Sequence, residues 1–157
     1  MAEFKLKTGE AVIVDAKDFE RVYRLKWHIS NGYAKHSYRS GGKVCSLYLH
    51  EFIRPGIAII GHHDGNRLNN RRHNLRPANN SRNQANSKKR STPCSSRFKG
   101  VYWAAKSGKW CAQISVPRRY LGLFNSEEKA ARAYDDAARV LWGKFARLNL
   151  PQDRRRK

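Results

Sequence analysis

Residues 62–83 hold a spacing that could support chemistry: His62, then Asn74 after eleven residues, then Asn83 after eight more. Cutting a phosphodiester needs a base that takes a proton from the attacking water, and an imidazole titrating near pH 6.5 suits that task at neutral pH. A divalent cation commonly offsets the charge on the phosphate and the leaving oxygen. A histidine at the end of a strand, a tight loop, and a helix bearing a second ligand would bring these groups together. His62 precedes the turn formers Asp64 and Gly65, Asn74 falls late in the loop, and Asn83 falls on a helix expected from about 80 to 88.

These residues need elements to hold them. In segment 1–50, AVIVDA reads as a short strand, and DAKDFERVYRLKW as a helix capped by Asp15 or Asp18, with Phe19, Val22, Tyr23 and Trp27 at helical spacing. GYAKHSY and KVCSLYLHEFI read as two strands joined by the turn at 40–42. Segment 51–90 is polar and turn-rich. SKKRSTPCSS, at 87–96, has the Ser, Pro and basic content of a boundary, with the linker proper at 91–96. From 97 to 150, FKGVYWAA, KWCAQISV and YLGLF read as three short strands. A helix comes after them that is capped by Ser126, acidic in its first turn at Glu127 and Glu128, and ended by Gly143. Residues 151–157 are a basic tail.

Charge sets the partner class. The net charge is +21 and the pI near 10.6, which points to a polyanion. It is +4 over residues 1–50, +9 over 51–100 and +8 over 101–157. A mean hydropathy of −0.82 and the lack of a long apolar run exclude a membrane span. MAEFKLKTGE has no apolar run of a secretory signal. Cys45, Cys94 and Cys111 form no CxxC pair, which disfavours both a disulfide framework and a structural zinc site.

The stretch from YLHEFI through GHHDGNRLNNRRHNLRPANNSRNQAN resembles an HNH endonuclease motif, the ββα-metal class. That resemblance implies His62 as general base, Asn74 as the residue that orients it, and Asn83 as metal ligand, with Mg²⁺ or Mn²⁺ as cofactor. The position before the base, where the family has a further ligand, is Gly61. Three readings stay open: Asn83, water and DNA phosphate hold the metal; His63 supplies a ligand; or cleavage is lost and binding kept. A register shifted by one, with His62 as ligand and His63 as base, is a further, minor variant that would restore a His-His dyad. Arg67, Arg71, Arg72, Arg76 and Arg82, with Lys88, Lys89 and Arg90 in the boundary, are expected to meet phosphate.

The stretch from FKGVYW to LNLP resembles an AP2 DNA-binding domain along essentially its full length, ARAYDDAA and the terminal LNLP being specific features. The resemblance implies a three-stranded sheet in the major groove with a helix behind it. By motif position the contacts are Lys99, Tyr102, Gln113, Ser115, Arg118 and Tyr120, and Arg97 is expected at DNA beside them. Alternation places Trp110, Ala112, Ile114 and Val116 toward the helix and Cys111, Gln113 and Ser115 outward. Trp103, Trp110, Tyr134 and Trp142 are expected in the core, and Asp135 and Asp136 paired with Arg132 or Arg139.

The expected fold is therefore α+β: N-terminal strands and a ββα-metal HNH module over 1–90, and an AP2-like sheet and helix over 97–150. The expected function is a homing-type endonuclease acting on double-stranded DNA, with no small-molecule substrate and in the cytoplasm of a bacterial or phage-infected cell. The alternative is a non-cleaving, sequence-specific DNA-binding protein or regulator derived from a nuclease, and Gly61 motivates it. The oligomeric state stays open, a monomer sufficing.

Overall fold

A computed structural model of the chain describes residues 1–89 and 94–150. The chain divides into two compact units, Met1–Asn80 and Ser81–Lys157. Arg90, residues 91–93 of the 91–96 linker and the tail lie outside the described residues.

The first unit opens with the antiparallel pair β1 (Ala2–Lys5) and β2 (Ala11–Val14), followed by α1 (Ala16–Tyr23). The three-stranded sheet β3 (His28–Ser30), β4 (Tyr33–Ser40) and β5 (Lys43–Tyr48) comes next in sequential antiparallel order. LHEFI was expected to continue β5. It forms instead the one-turn helix α2 (Leu49–Ile53), closed by a Glu51 carboxylate that accepts the Tyr48 N–H. Leu49 and Ile53 are thereby fully buried beside Val12, Val14, Val22 and Trp27. Strands β6 (Ile60–His62) and β7 (Leu75–Pro77) form a separate antiparallel pair around the long loop. Asp18, on α1, is buried, and its two oxygens receive Nε and Nη2 of Arg72 at 2.8 and 2.9 Å. Arg21 reaches the same carboxylate, and the Arg72 backbone N–H donates to Asp15. Helix α1 is thus tied to the loop between β6 and β7.

The second unit starts with α3 (Asn80–Asn86), one residue of which falls in the first. Sequence grouped this helix with the loop before it, but its packing is with segments later in the chain. Trp142 Nε1 donates to Ser81 Oγ at 3.1 Å, Arg147 N–H donates to Ala85 O at 3.2 Å, and the Arg82 guanidinium lies 4.8 Å from the Phe145 ring centroid. Strands β8 (Val101–Ala104), β9 (Lys109–Ser115) and β10 (Arg118–Phe124) make an antiparallel sheet with β9 central, and α4 (Glu127–Trp142) packs on one face. Ser126 caps α4 by accepting the Lys129 N–H, and Gly143 ends it, as expected. Phe98, Val101, Ala112, Ala130 and Ala131 form one part of the core, and Ile114, Tyr134 and Ala138 the other. The small alanines let helix and sheet approach closely.

Two expectations for this unit are corrected. Asp135 does not pair with an arginine. It is buried, and its oxygens accept the backbone N–H groups of Asn149 and Leu150, both at 2.8 Å, fastening the chain after α4. Asp136 does pair with Arg139. Trp103 is 43% exposed rather than in the core, and packs edge-on against Trp110.

The overall class is a mixed α+β fold with antiparallel sheets, including a three-stranded sheet on a helix of the AP2 type. Among the described residues β6 and β7 are paired and α3 has contacts within the second unit, and an HNH module is not evidenced.

Candidate nucleic-acid interface

The 62–74 loop is a closed hydrogen-bond system. Asn74 Oδ1 accepts the Asp64 N–H at 3.0 Å, and its Nδ2 donates to Asp64 Oδ1 and to Asn69 O. Asp64 also accepts from the Asn66 N–H and from Asn69 Nδ2, which together hold its carboxyl below the usual range although burial opposes this. Asn70 Nδ2 donates to Arg67 O, which turns Asn70 Oδ1 toward His62 Nε2 at 3.3 Å. His62 is 7% exposed and packs with Tyr33 and His50 at ring-centroid distances of 6.0 and 5.5 Å. Burial lowers its pKa. His63 is exposed.

The loop itself offers few side-chain groups to a metal ion. Gly61 offers no side chain, and each Asp64 oxygen serves loop N–H groups. Among the described residues, no group of three or more His, Cys, Asp or Glu could hold a metal. Asn83 stands on α3, in the second unit.

His50 is pushed down to about 4 by burial and by His62. A histidine whose folded pKa lies below its unfolded value holds fewer protons folded than unfolded between the two. Stability is then present above about pH 6.5 and is lost as pH falls toward 4. Chemical denaturation of the first unit should show that loss, and His50→Phe should flatten the His50 part of the slope. An unchanged slope would show that His50 stays neutral without cost.

The arginines of the loop serve the fold more than an open surface. Arg67 Nη1 donates to Asn31 O at 2.8 Å and its guanidinium lies 4.5 Å from the Tyr33 ring centroid. Arg71 Nε donates to Asn69 Oδ1. Arg72 is taken by Asp18, Arg76 is half-buried on β7, and Arg82 stacks on Phe145. In the boundary, Lys88 is exposed and Lys89 donates to Phe98 O. Arg97 is exposed, 3.4 Å from Glu128. Lys99, expected at DNA, is turned the other way: its Nζ donates to the carbonyls of Gln84, Ala85 and Ser87 and so closes the end of α3. Burial, helped by Arg147, pushes its pKa down to about 8.

The outer face of β8–β10 is different. Register sets Tyr102 opposite Cys111, Tyr120 opposite Gln113, and Arg118 opposite Ser115. Tyr102, Ser115, Arg118 and Tyr120 are exposed and Gln113 half-exposed, so one face carries two phenols, an amide, a hydroxyl and a guanidinium. Alternation failed twice here. Cys111 points outward yet is 2% exposed, lying between its register partners Tyr102 and Leu123. Val116, expected inward, is 46% exposed because it has left β9 for the turn. Lys109 was missed. It shares the alternation of Cys111, Gln113 and Ser115, and is exposed at the end of β9.

The three-stranded sheet thus has one face on a helix and the other polar, aromatic and cationic. Part of the chain is similar to known proteins. It is 51% identical over 49 residues to "Dehydration-responsive element-binding protein 2C" of Arabidopsis thaliana, covering 29% of this chain and 14% of the relative. It is 43% identical over 70 residues to "Ethylene-responsive transcription factor ERF018" of the same plant, covering 42% and 35%. A "Dehydration-responsive element-binding protein 2E" of Oryza sativa subsp. japonica is 54% identical over 48 residues, covering 28% and 15%. The chain thus spans about a third or less of the length of these curated relatives. No family model matches it.

These relatives support an AP2 DNA-binding domain, and none supports an HNH nuclease. The expected homing endonuclease is accordingly corrected: the named relatives are transcription factors and element-binding proteins, not hydrolases. With it goes the expected hydrolysis by His62. No helix among the described residues is long and apolar enough to cross a membrane.

Proposed function

We propose that the chain is a sequence-specific regulator that binds double-stranded DNA through the outer face of β8–β10. The observation that carries this is the register itself, which aligns Tyr102, Gln113, Ser115, Arg118 and Tyr120 on the face turned away from α4. A β-sheet of this width enters the major groove, where an amide and a guanidinium can read base edges and a phenol can pack on a thymine methyl. Lys109 and Arg97 lie where phosphate contacts would orient the sheet. The relatives' names, as element-binding proteins and transcription factors, favour regulation over cleavage. The place of action is wherever the target DNA is held, which for plant transcription factors is the nucleus rather than a bacterial cytoplasm.

The test is selection of a preferred duplex from a random pool, then titration of Arg118→Ala and Tyr120→Ala against it. Each lost base contact is worth about 1–3 kcal/mol, so each variant should bind its site ~10-fold or more weaker. Binding to unrelated duplex should change far less, and the circular dichroism not at all, since both side chains are exposed. Undiminished selectivity in both variants would remove the sheet from the reading role.

A further inference from the structure

The base of hairpin β4–β5 packs into its unit through Ala34 and Tyr33, but its outer half does not. Strand β3 pairs only with the base of β4, through Ser30–Tyr33, Ile29–Ala34 and His28–Lys35. Beyond that base the sheet is a bare two-stranded ribbon, from the Ser37–Ser46 pair to the Ser40–Lys43 pair at the tip. Of its eight paired residues, all are exposed except the half-buried Cys45. Val44 is 73% and Tyr38 46% exposed. Apart from the Tyr38 ring stacked on His36, no packing on this ribbon is seen among the described residues, and a two-stranded ribbon is marginal in water, so a surface of this kind is commonly completed by what it binds.

Its charge says what that is. There is no acidic residue between Glu20 and Glu51, against six Lys or Arg, and Lys35, Arg39 and Lys43 lie on the hairpin. Residues opposite one another in an antiparallel pair share a face. Arg39 faces with Val44, and Lys43 with Ser40, so each face of the tip carries one cation. A ribbon lying flat on a charged surface would need them together. One on each side suits insertion between two rows of phosphate. The turn is narrow: Gly41 and Gly42 have φ of 56° and 76°, a conformation open to glycine, and a Cβ at either would meet nothing within 4 Å. The glycines therefore serve the turn and leave a slim tip rather than relieving a packing clash. A two-stranded ribbon fits the ~12 Å width of the major groove.

We infer that β4–β5 is a second DNA contact, inserted in a groove of the same duplex that the β8–β10 sheet reads. The inference rests on the DNA-binding reading proposed above. It makes the first unit an active part of binding rather than a carrier of strands, and the protein a two-point DNA binder.

Hydroxyl-radical footprinting of the full chain on a duplex of about 40 base pairs containing its selected site tests this. Two protected patches are expected. Arg39→Ala with Lys43→Ala should erase one patch and leave the other, weaken binding about 10-fold, and lower the slope of log affinity against log salt by ~2, at ~0.9 per phosphate contact. Both side chains are exposed, so folding should be unaffected, which denaturation of the variant checks. Patches and slope unchanged in the double variant would overturn the inference while leaving the sheet reading intact. The reverse is equally visible: Arg118→Ala that spares every patch, beside an Arg39→Ala, Lys43→Ala variant that loses one, upholds the hairpin and sinks the sheet. A double variant that loses affinity for structured RNA but keeps it for duplex DNA also overturns the inference.

Discussion

Gly100→Ala is expected to unfold the second unit. At Gly100 the backbone enters β8 with φ at +74°, and a Cβ there would lie 2.2 and 2.3 Å from two ring carbons of Tyr134 and 2.5 Å from the carbonyl oxygen of Gln113. Neither neighbour can yield. Tyr134 is buried against Ile114 and Ala138, and the Gly100 carbonyl itself accepts the Gln113 N–H at 2.8 Å. Left-handed backbone costs about 1–2 kcal/mol for a residue with a Cβ, and overpacking of this kind typically costs about another 1–3 kcal/mol. The sum, about 3 kcal/mol or more, is a large share of a small unit's stability. Calorimetry of the full chain should show the transition of the second unit displaced downward by many degrees or missing, while that of the first unit is kept. A variant with both transitions in place would mean that Tyr134 is not packed as described. DNA selectivity should disappear with the second unit, which separates this variant from Arg118→Ala, where the fold survives.

Asp18→Ala is the corresponding change in the first unit. The carboxylate is 2% exposed and takes three hydrogen bonds from Arg72 and Arg21. Removing one member of a buried pair leaves the other charge without its partner, which costs about 3–5 kcal/mol when the partner is itself deeply buried. The Arg72 side chain is 34% exposed and recovers some hydration, so about 2–3 kcal/mol is expected. The hydrogen bond from Arg72 holds the Asp18 carboxyl below its usual range. A folded pKa depressed in this way gives stability that is present above the unfolded value near 4 and is lost as pH falls through the folded one. Urea denaturation at pH 7 and pH 3 should show the variant far weaker than the parent at pH 7, with the deficit smaller at pH 3 as the parent begins to lose this contribution. An equal deficit at both would mean that shape rather than charge carries the effect.

What could be read in advance depends on how local each signal is. Ser126 and Gly143 bound α4 because a cap acts on the adjacent turn, and the two glycines at 41–42 mark their own hairpin. Asp135 misled because helical spacing offers it Arg132 and Arg139, whereas the groups that hold it arrive from 149 and 150. Lys99 misled for a related reason. Its motif position faces DNA only if nothing nearer wants a cation, and the carbonyl end of α3 does. The spacing His62, Asn74, Asn83 was real, and the first two do lie in one loop. Yet the amides of that loop bond to one another, and Gly61 contributes no ligand. Spacing alone does not say whether polar groups face a substrate or each other. The outer face of β8–β10 was legible because period-two alternation and register settle it within one sheet, apart from Cys111, covered from neighbouring strands.

The central claim is that the sheet, not the helix behind it, faces the bases. A chelated iron tethered at Ser115→Cys or at Val140→Cys, with Cys45 and Cys94 replaced by serine, tests it by cutting nearby DNA. Ser115 lies on the outer face of β9, and Val140, 86% exposed, on the solvent side of α4. Strong cutting within the selected site from position 115 and little from position 140 is the predicted result. Equal cutting from both, or stronger cutting from position 140, would contradict it.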